Sequence, residues 1–457
     1  VGDSYDASGS AGSPIAAPDP DPLDCAGVGA DANQRISGGH GTHVAGIAAG
    51  YGVDSSGATY YGPYSIGKSY DDFLLEPGIA PRASLVALKV FGCQGTTTYL
   101  TRAIDYALDP NGDGDISDRL VDVLNISLGS PFGSEDDPDV VAVNRAVEAG
   151  VVVVVATGDS GNTFYSIASP ASARQAIAVG ASSDPALTPN TLASFSARGP
   201  QRAGFVKPDL VAPGVALRSA AAGSGTSSLS LSGTSIAAPQ VAGAAALLRQ
   251  LHPTWSPAAV KAALMNAATP LLDASGNPYP PSLAGAGRLD LSKIAKLDLL
   301  AYAADDPGGV GLSFGAPWLS QPQNLMQTMR IENTGAQPRM MHIAPIVAAQ
   351  EDGVTVDVPT TPYMLLPGQT VDVPVTVSVQ PGMLDFTPDA ATPLTQAAGF
   401  SRYYMAEHSG VMEVTSTLGA RLRVVNAGDF DYLDVYVDDQ PLANSLRQGV
   451  VTPYQAY

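Results

Sequence analysis

The chain has 457 residues and a formal net charge of −20, from 23 Lys+Arg against 43 Asp+Glu, yet only 14% of its residues are charged, against roughly 25% in an average globular protein. The negative field repels phosphate backbones and argues against nucleic-acid binding, while 45% hydrophobic residues can fill a large core and argue against disorder. Of the acids 36 are Asp and only seven Glu, and Asp belongs in turns, caps and metal loops rather than on exposed helices. The apolar stretches, such as Val151–Ala156, fall far short of the roughly 20 residues that span a bilayer, so no membrane helix is expected. The sequence starts at Val1 without a basic-then-apolar leader, so any export signal is absent or already removed.

The first element is a glycine- and alanine-rich helix opening near His40, in Gly39-His40-Gly41-Thr42-His43-Val44-Ala45-Gly46. Ser84–Val90 reads as a strand, followed by a helix with Leu100, Ile104 and Leu108 on one face. Val121–Ile126 is the next strand, Val140, Val141, Val143 and Val147 mark a second helix, and Val151–Ala156 and Ala176–Ala181 are all-apolar strands. Such alternation predicts an α/β fold whose parallel sheet is covered on both faces. A small-residue helix is expected over Ser235–Leu251, and another over Pro257–Ala268 with Ser256 as N-cap and Pro257 at its first position. Beyond a linker at Asp305–Gly309 the pattern changes to period-two strands, as in Thr370–Val377, which predicts a β-sandwich domain. The expected domains are 1–304, 310–418 and a short β-rich repeat beginning at 421 and running to 457.

Two segments carry chemistry. His40 stands ahead of the glycine-rich helix, and Ser235, in Ser232-Gly233-Thr234-Ser235-Ile236-Ala237-Ala238-Pro239, stands where a Gly-led turn enters a helix. The positive end of that helix would face whatever the Ser235 hydroxyl attacks. A lone His is more often structural, and a Ser at a helix start is usually a cap. Together with Gly78-Ile79-Ala80-Pro81, Asn125–Gly129, Phe195–Pro200 and Lys207–Gly214, the two segments resemble the subtilisin-like serine proteases, or subtilases, over most of residues 36–296. Within that family the chain looks most similar to the minor extracellular protease branch.

The resemblance implies a secreted serine endopeptidase acting on protein or peptide substrates, and a monomer is expected. His40 would be general base and Ser235 nucleophile. Ser127, Leu128 and Gly129 would pair with an extended substrate, and Ala156, Thr157 and Gly158 would form the opposite wall of the first specificity pocket. With no acidic residue on that wall, a neutral substrate side chain is expected. The Gly225-Thr226-Ser227 triplet lacks a following small-residue helix and is a decoy; His43 is expected to be structural, and His252, His342 and His408 have no motif context.

The sequence departs from the family twice. No Asp-Thr/Ser-Gly turn follows an apolar strand ahead of His40, so the expectation is a chain that starts downstream of the catalytic Asp and is impaired by itself. Asp159 stands where most subtilases have an Asn that donates to the oxyanion, with Asn162 the nearest substitute donor. A non-catalytic cell-envelope or adhesive module on a degenerate subtilase fold is the alternative to an enzyme.

Asp109-Pro110-Asn111-Gly112-Asp113-Gly114-Asp115-Ile116-Ser117-Asp118 has the D-x-N-x-D-G-x-I spacing of an EF-hand-type loop. Asp109, Asn111, Asp113, Asp115 and Asp118 are therefore candidate ligands of a structural Ca2+, with an Asp-rich solvated turn as the competing reading. The subtilase resemblance brings Cys25 and Cys93 to loops near the cleft, implying a bridge between them; two inert thiols are the other possibility.

Overall fold

The computed structural model describes residues 29–30, 36–37, 39–65, 67–91, 97–183, 191–306, 308–315, 317, 319, 321–384, 388–395, 407–416, 421–429, 436–437 and 440–441. Cys25 and Cys93 lie outside the described residues, and with them the expected bridge.

β1 (Gly29–Ala30) and β2 (Ile36–Ser37) form a short antiparallel pair, followed by α1 (His40–Ala49), α2 (Leu100–Leu108), β3 (Val123–Ile126), α3 (Pro138–Glu148), β4 (Val152–Ala156), β5 (Ile177–Ser182) and β6 (Leu210–Pro213). The parallel sheet has the order β3-β4-β5-β6, with Val123 beside Val152 and Val179 beside Leu210. Its strands are apolar on both faces because each face has its own core. Val152, Val154 and Ala156 turn to one side; Val151, Val153 and Val155 turn to the other, where Leu100, Ile104, Val140 and Val143 of α2 and α3 cover them.

The first face is covered by α4 (Thr234–Leu251) and α5 (Pro257–Asn266), after the hairpin β7 (Leu217–Ala220) and β8 (Ser228–Leu231). α4 presents Ala237, Ala238, Val241 and Ala245 to the sheet, small side chains that let the helix lie close. Ser256 caps α5, accepting from Ala259 N–H at 3.2 Å, with Pro257 at the first helical position. α1 packs on α4 at Gly243, where a Cβ would stand 2.9 Å from the Ala48 carbonyl oxygen and 2.7 Å from Ile79 Cβ. The Gly78–Pro81 motif explains itself here: Ile79 N–H and Ala80 N–H donate to the Ile47 and Ala48 carbonyls at the end of α1.

After α6 (Pro281–Ala284) and α7 (Leu291–Ile294) come β9 (Leu299–Ala303), β10 (Leu312–Gly315), β11 (Gln323–Asn333), β12 (Arg339–Ala349), β13 (Val354–Asp357), β14 (Tyr363–Leu365), β15 (Thr370–Val379), β16 (Glu407–Ser416) and β17 (Arg421–Asp429). They form two sheets, β13-β15-β11-β9 and β10-β17-β16-β12-β14, antiparallel except for β10 beside β17. Leu299, Met329, Ile331 and Val373 of the first share one core with Leu312, Met341, Ile343 and Met412 of the second. The two sheets reach beyond the expected span of 310–418, since β9 pairs with β11 and β17 pairs with β16.

The strand expected at Ser84–Val90 is not formed; Leu85 and Val86 are exposed, at 58% and 46%. A β-branched run becomes a strand only where a ladder partner and a buried face exist, and among the described residues the parallel sheet ends at β3. No helix of the described residues is long and apolar enough to cross a membrane.

Candidate active site

Ser127 and Thr157 follow the carboxyl ends of the adjacent parallel strands β3 and β4, the end of an open α/β sheet where ligands bind. The start of α4 lies against both. Ser235, half-buried, is its second residue, and His40, also half-buried, is the first of α1.

Ser127 and Ser235 are joined twice. The Ser235 hydroxyl donates to the Ser127 carbonyl at 3.0 Å, and the Ser127 hydroxyl donates to the Ser235 carbonyl at 2.7 Å. The second bond has a local cause in Pro239, inside α4. Proline has no N–H, so the carbonyl four residues earlier, that of Ser235, loses its helical donor, and Ser127 supplies one from outside. Asn125 Nδ2 in turn donates to the Ser127 hydroxyl at 3.0 Å.

Asp159 serves α4 directly. Its Oδ1 accepts from Thr234 N–H at 2.8 Å and from the Thr234 hydroxyl at 2.9 Å, and Gly158 N–H donates to that hydroxyl at 3.1 Å. The carboxylate thus satisfies a first-turn amide and sits at the positive end of the helix that carries Ser235, where a negative charge is worth about 0.3–1 kcal/mol. Gly233, before Thr234, has φ 151°, and a Cβ on it would stand 3.1 Å from Asp159 Oδ2. The tight Gly233 turn and the carboxylate therefore fit each other.

The Ser127–Gly129 and Ala156–Gly158 strips, the candidate substrate edges, are laced together by Ala168 and Ser169. Ala168 N–H donates to the Thr157 carbonyl at 2.9 Å, while Ser169 and Ser130 exchange N–H to carbonyl bonds at 2.9 and 2.8 Å. Added Cβ atoms on Gly129 and Gly158 would stand 3.2 and 3.1 Å from Ala168 Cβ. The Ala168 methyl is therefore the common neighbour of the strip Ser127-Leu128-Gly129 and the strip Ala156-Thr157-Gly158. The Thr157 side chain turns away, fully buried, and donates to the Val179 carbonyl at 3.2 Å.

Asn162, the nearest substitute donor, is engaged in a domain contact: its Nδ2 donates one N–H to the Ala391 carbonyl at 2.8 Å and its Oδ1 accepts from Arg198 Nη1 at 3.0 Å. His43 is the structural residue expected: it is fully buried, and its Nε2 lies 3.1 and 3.0 Å from the Leu217 and Leu229 carbonyls. Burial holds its pKa below the ordinary imidazole value, more than those carbonyls raise it.

The Asp-rich loop lies at the other end of β3 and is folded onto its own backbone. Asp109 accepts from the N–H groups of Gly112, Asp113 and Gly114, Asp113 from Asp115 N–H, and Asp115 from Ser117 N–H and hydroxyl. Asn111 Nδ2 donates to Asp113 Oδ2 at 3.1 Å and Asp118 Oδ2 at 2.9 Å, so the Asn111 amide bridges those carboxylates. Among the described residues no three His, Cys, Asp or Glu side chains are grouped as a metal ion would require.

Sequence reasoning did not reach the roles of Thr234, Ala168 or Arg198. Pro239 was the available signal for the first contact, since a proline in a helix frees the carbonyl four residues before it, and that residue is Ser235. An arginine in the otherwise small and apolar Phe195–Pro200 run was the signal for a buried guanidinium.

Fold and site together define an α/β protein whose candidate nucleophile is a serine in the first turn of a helix, set at the carboxyl ends of a parallel sheet. The chain belongs to the subtilase family, Peptidase S8, whose profile matches residues 26–287. It is 37% identical over 262 residues to serine protease AprX of Bacillus subtilis (strain 168), covering 53% of this chain and 55% of that protein. It is 40% identical over 250 residues to subtilisin BL of Lederbergia lenta, covering 54% of this chain and 76% of that protein. The chain thus spans about half the length of AprX and about three quarters of subtilisin BL.

Proposed function

We propose that the chain is a secreted, monomeric serine endopeptidase that cleaves protein or peptide substrates through an acyl-enzyme on Ser235. The observation that carries this reading is the junction at Ser235: a serine in the first turn of α4, bonded to the Ser127 edge and flanked by the Gly158–Asp159 loop. An extended substrate adds to the Ser127–Gly129 edge by backbone hydrogen bonds, with its first-pocket side chain, a neutral one, toward Ala168. A hydroxyl has one proton, so Ser235 must leave the Ser127 carbonyl and turn that proton to His40 before attack. His40 then returns it to the leaving amine. Residues 310–418 act as a fibronectin III-like β-sandwich domain, in the manner of the minor extracellular protease branch.

Two further points belong to this reading. The sequence ahead of His40 has no Asp-Thr/Ser-Gly turn, and loss of the orienting carboxylate costs about 10⁴ in kcat in serine proteases, so the 457 residues alone are expected to turn over at a residual rate. A structural Ca2+ at Asp109, Asn111, Asp113, Asp115 and Asp118 is supported by their spacing. Titration calorimetry with CaCl2 tests it, and no heat of binding removes it.

The central test is labelling by a fluorophosphonate probe, with Ser235→Ala as control, on this chain and on one carrying an upstream Asp-bearing segment. Labelling at Ser235 that rises with the added segment is expected. Absence of labelling in both would favour a non-catalytic envelope or adhesive module.

A further inference from the structure

One guanidinium ties the antiparallel domain to the loop beside Ser235. Arg198 is fully buried, and all five of its N–H donors have acceptors. Nε donates to Ser282 Oγ at 3.0 Å; Nη1 to Asn162 Oδ1 at 3.0 Å and Thr392 Oγ1 at 2.5 Å; Nη2 to Asp389 Oδ2 at 2.6 Å and Glu407 Oε2 at 3.0 Å. Its plane also lies over the Phe164 ring, 3.7 Å from the centroid. Asp389, Thr392 and Glu407 come from the antiparallel region, whereas Asn162 and Phe164 come from the segment that follows Asp159.

The connection continues toward the substrate strips. Arg198 N–H donates to Ser166 Oγ at 3.1 Å, and Ser166 N–H donates to the Arg198 carbonyl at 3.0 Å. Two residues on, Ala168 and Ser169 make the bonds to Thr157 and Ser130 that space those strips. The Asn162 amide donates to Ala391, so the antiparallel domain grips the same segment at a second point.

We propose that Arg198 is a positioning residue for the substrate site, held by Asp389 and Glu407, so that the antiparallel domain sets the geometry of residues 158–168. The proposal deepens the proteolytic reading and rests on it. Apolar contact would suffice to join two domains, and a buried ion pair is a poor source of net stability. A guanidinium with every donor used instead fixes directions: its planar fork holds Asn162 on one side and the two carboxylates on the other, which an ammonium cannot reproduce. Gly158 and Asp159, bonded to Thr234 of α4, are the immediate continuation of the segment so held.

The test compares Arg198→Lys, which keeps the charge but has three donors and no plane, and Asp389→Asn, which keeps the shape but not the charge, with Val373→Ala. The last trims the core of the two antiparallel sheets without touching the clasp. Hydrogen exchange of amides 158–168 is read beside kcat and KM on a peptide substrate, using the chain with the Asp-bearing segment. Arg198→Lys and Asp389→Asn are expected to speed exchange of 158–168 by about tenfold or more while β4 and β5 stay protected, and to lower kcat more than they raise KM, as loss of a transition-state arrangement does. Val373→Ala is expected to lower the thermal midpoint and leave exchange of 158–168 unchanged. Unchanged exchange in both clasp variants, or an equal rise in Val373→Ala, would overturn the proposal. If the unaltered chain turns over no peptide, the proteolytic reading fails by itself, and the exchange measurement still decides the clasp.

Discussion

Asp159→Asn is the substitution on which the electrostatics of the site turn. Asp159 Oδ1 accepts both bonds from Thr234, and a Cβ on Gly233 would meet Oδ2 at 3.1 Å, so the two carboxylate oxygens face different neighbours. Asparagine is isosteric: its Oδ1 keeps both Thr234 bonds, and its Nδ2 replaces Oδ2 with a donor. The change has two opposing energies. Removing a negative charge from the start of α4 forfeits about 0.3–1 kcal/mol, in the ground state and in the transition state alike. Supplying an oxyanion donor is worth about 2.7–4 kcal/mol in the transition state alone, a magnitude known from a subtilisin. The first lowers stability slightly and the second lowers the barrier, so kcat is expected to rise by up to about 10²–10³ with the thermal midpoint slightly reduced. Steady-state kinetics on a peptide p-nitroanilide, using the chain with the upstream Asp-bearing segment and with the midpoint measured on the same preparations, separates the two. An unchanged or lower kcat in a folded Asp159→Asn protein would refute the assignment of this position to the oxyanion.

Ser127→Ala removes the donor that replaces the missing Pro239 N–H, leaving the Ser235 carbonyl unsatisfied; a loss of about 1–3 kcal/mol in denaturant unfolding is expected, whereas Ser130→Ala, with no side-chain bond to that carbonyl, should cost less. Ala168→Gly deepens the space between Gly129 and Gly158, and a peptide library should show kcat/KM shifted toward bulkier first-pocket side chains by about tenfold or more. His408 is buried in β16, and burial pushes its pKa down to about 4. The unfolded chain therefore binds a proton that the folded one refuses between about pH 6.5 and 4, so stability is full above that window and falls as pH drops through it, by about 3 kcal/mol at most. His408→Gln should flatten that dependence in chemical denaturation at pH 4 to 7, and an unaltered slope would assign the acid sensitivity to other groups.

The parts of this fold that could be read from sequence are those whose signal is local. Val152–Ala156 announces a two-sided strand because every residue of it is apolar, and both faces are in fact buried. Ser256-Pro257 announces a helix start because capping acts within a single turn. Ser84–Val90 carries the same kind of signal and fails, because apolar patterning says that a run could pair and not that a partner stands beside it. The candidate site divides along the same line. His40 and Ser235 were singled out by ordered motifs that together resemble the subtilases, and the small residues that follow them serve a close helix contact, as Gly243 against Ala48 shows.

What Asp159 and Asn162 do was not legible, because each is defined by a partner far along the chain. Thr234 lies 75 positions from Asp159, and Ala391 lies 229 from Asn162. Either side chain could offer an oxyanion something in the sequence, but the fold engages one in capping α4 and the other in a domain contact. A polar side chain near a reacting centre is thus available to chemistry only to the extent that the backbone groups around it are satisfied by something else. Both Thr234 bonds fall on Asp159 Oδ1, which leaves Oδ2 as the atom whose replacement should change the rate.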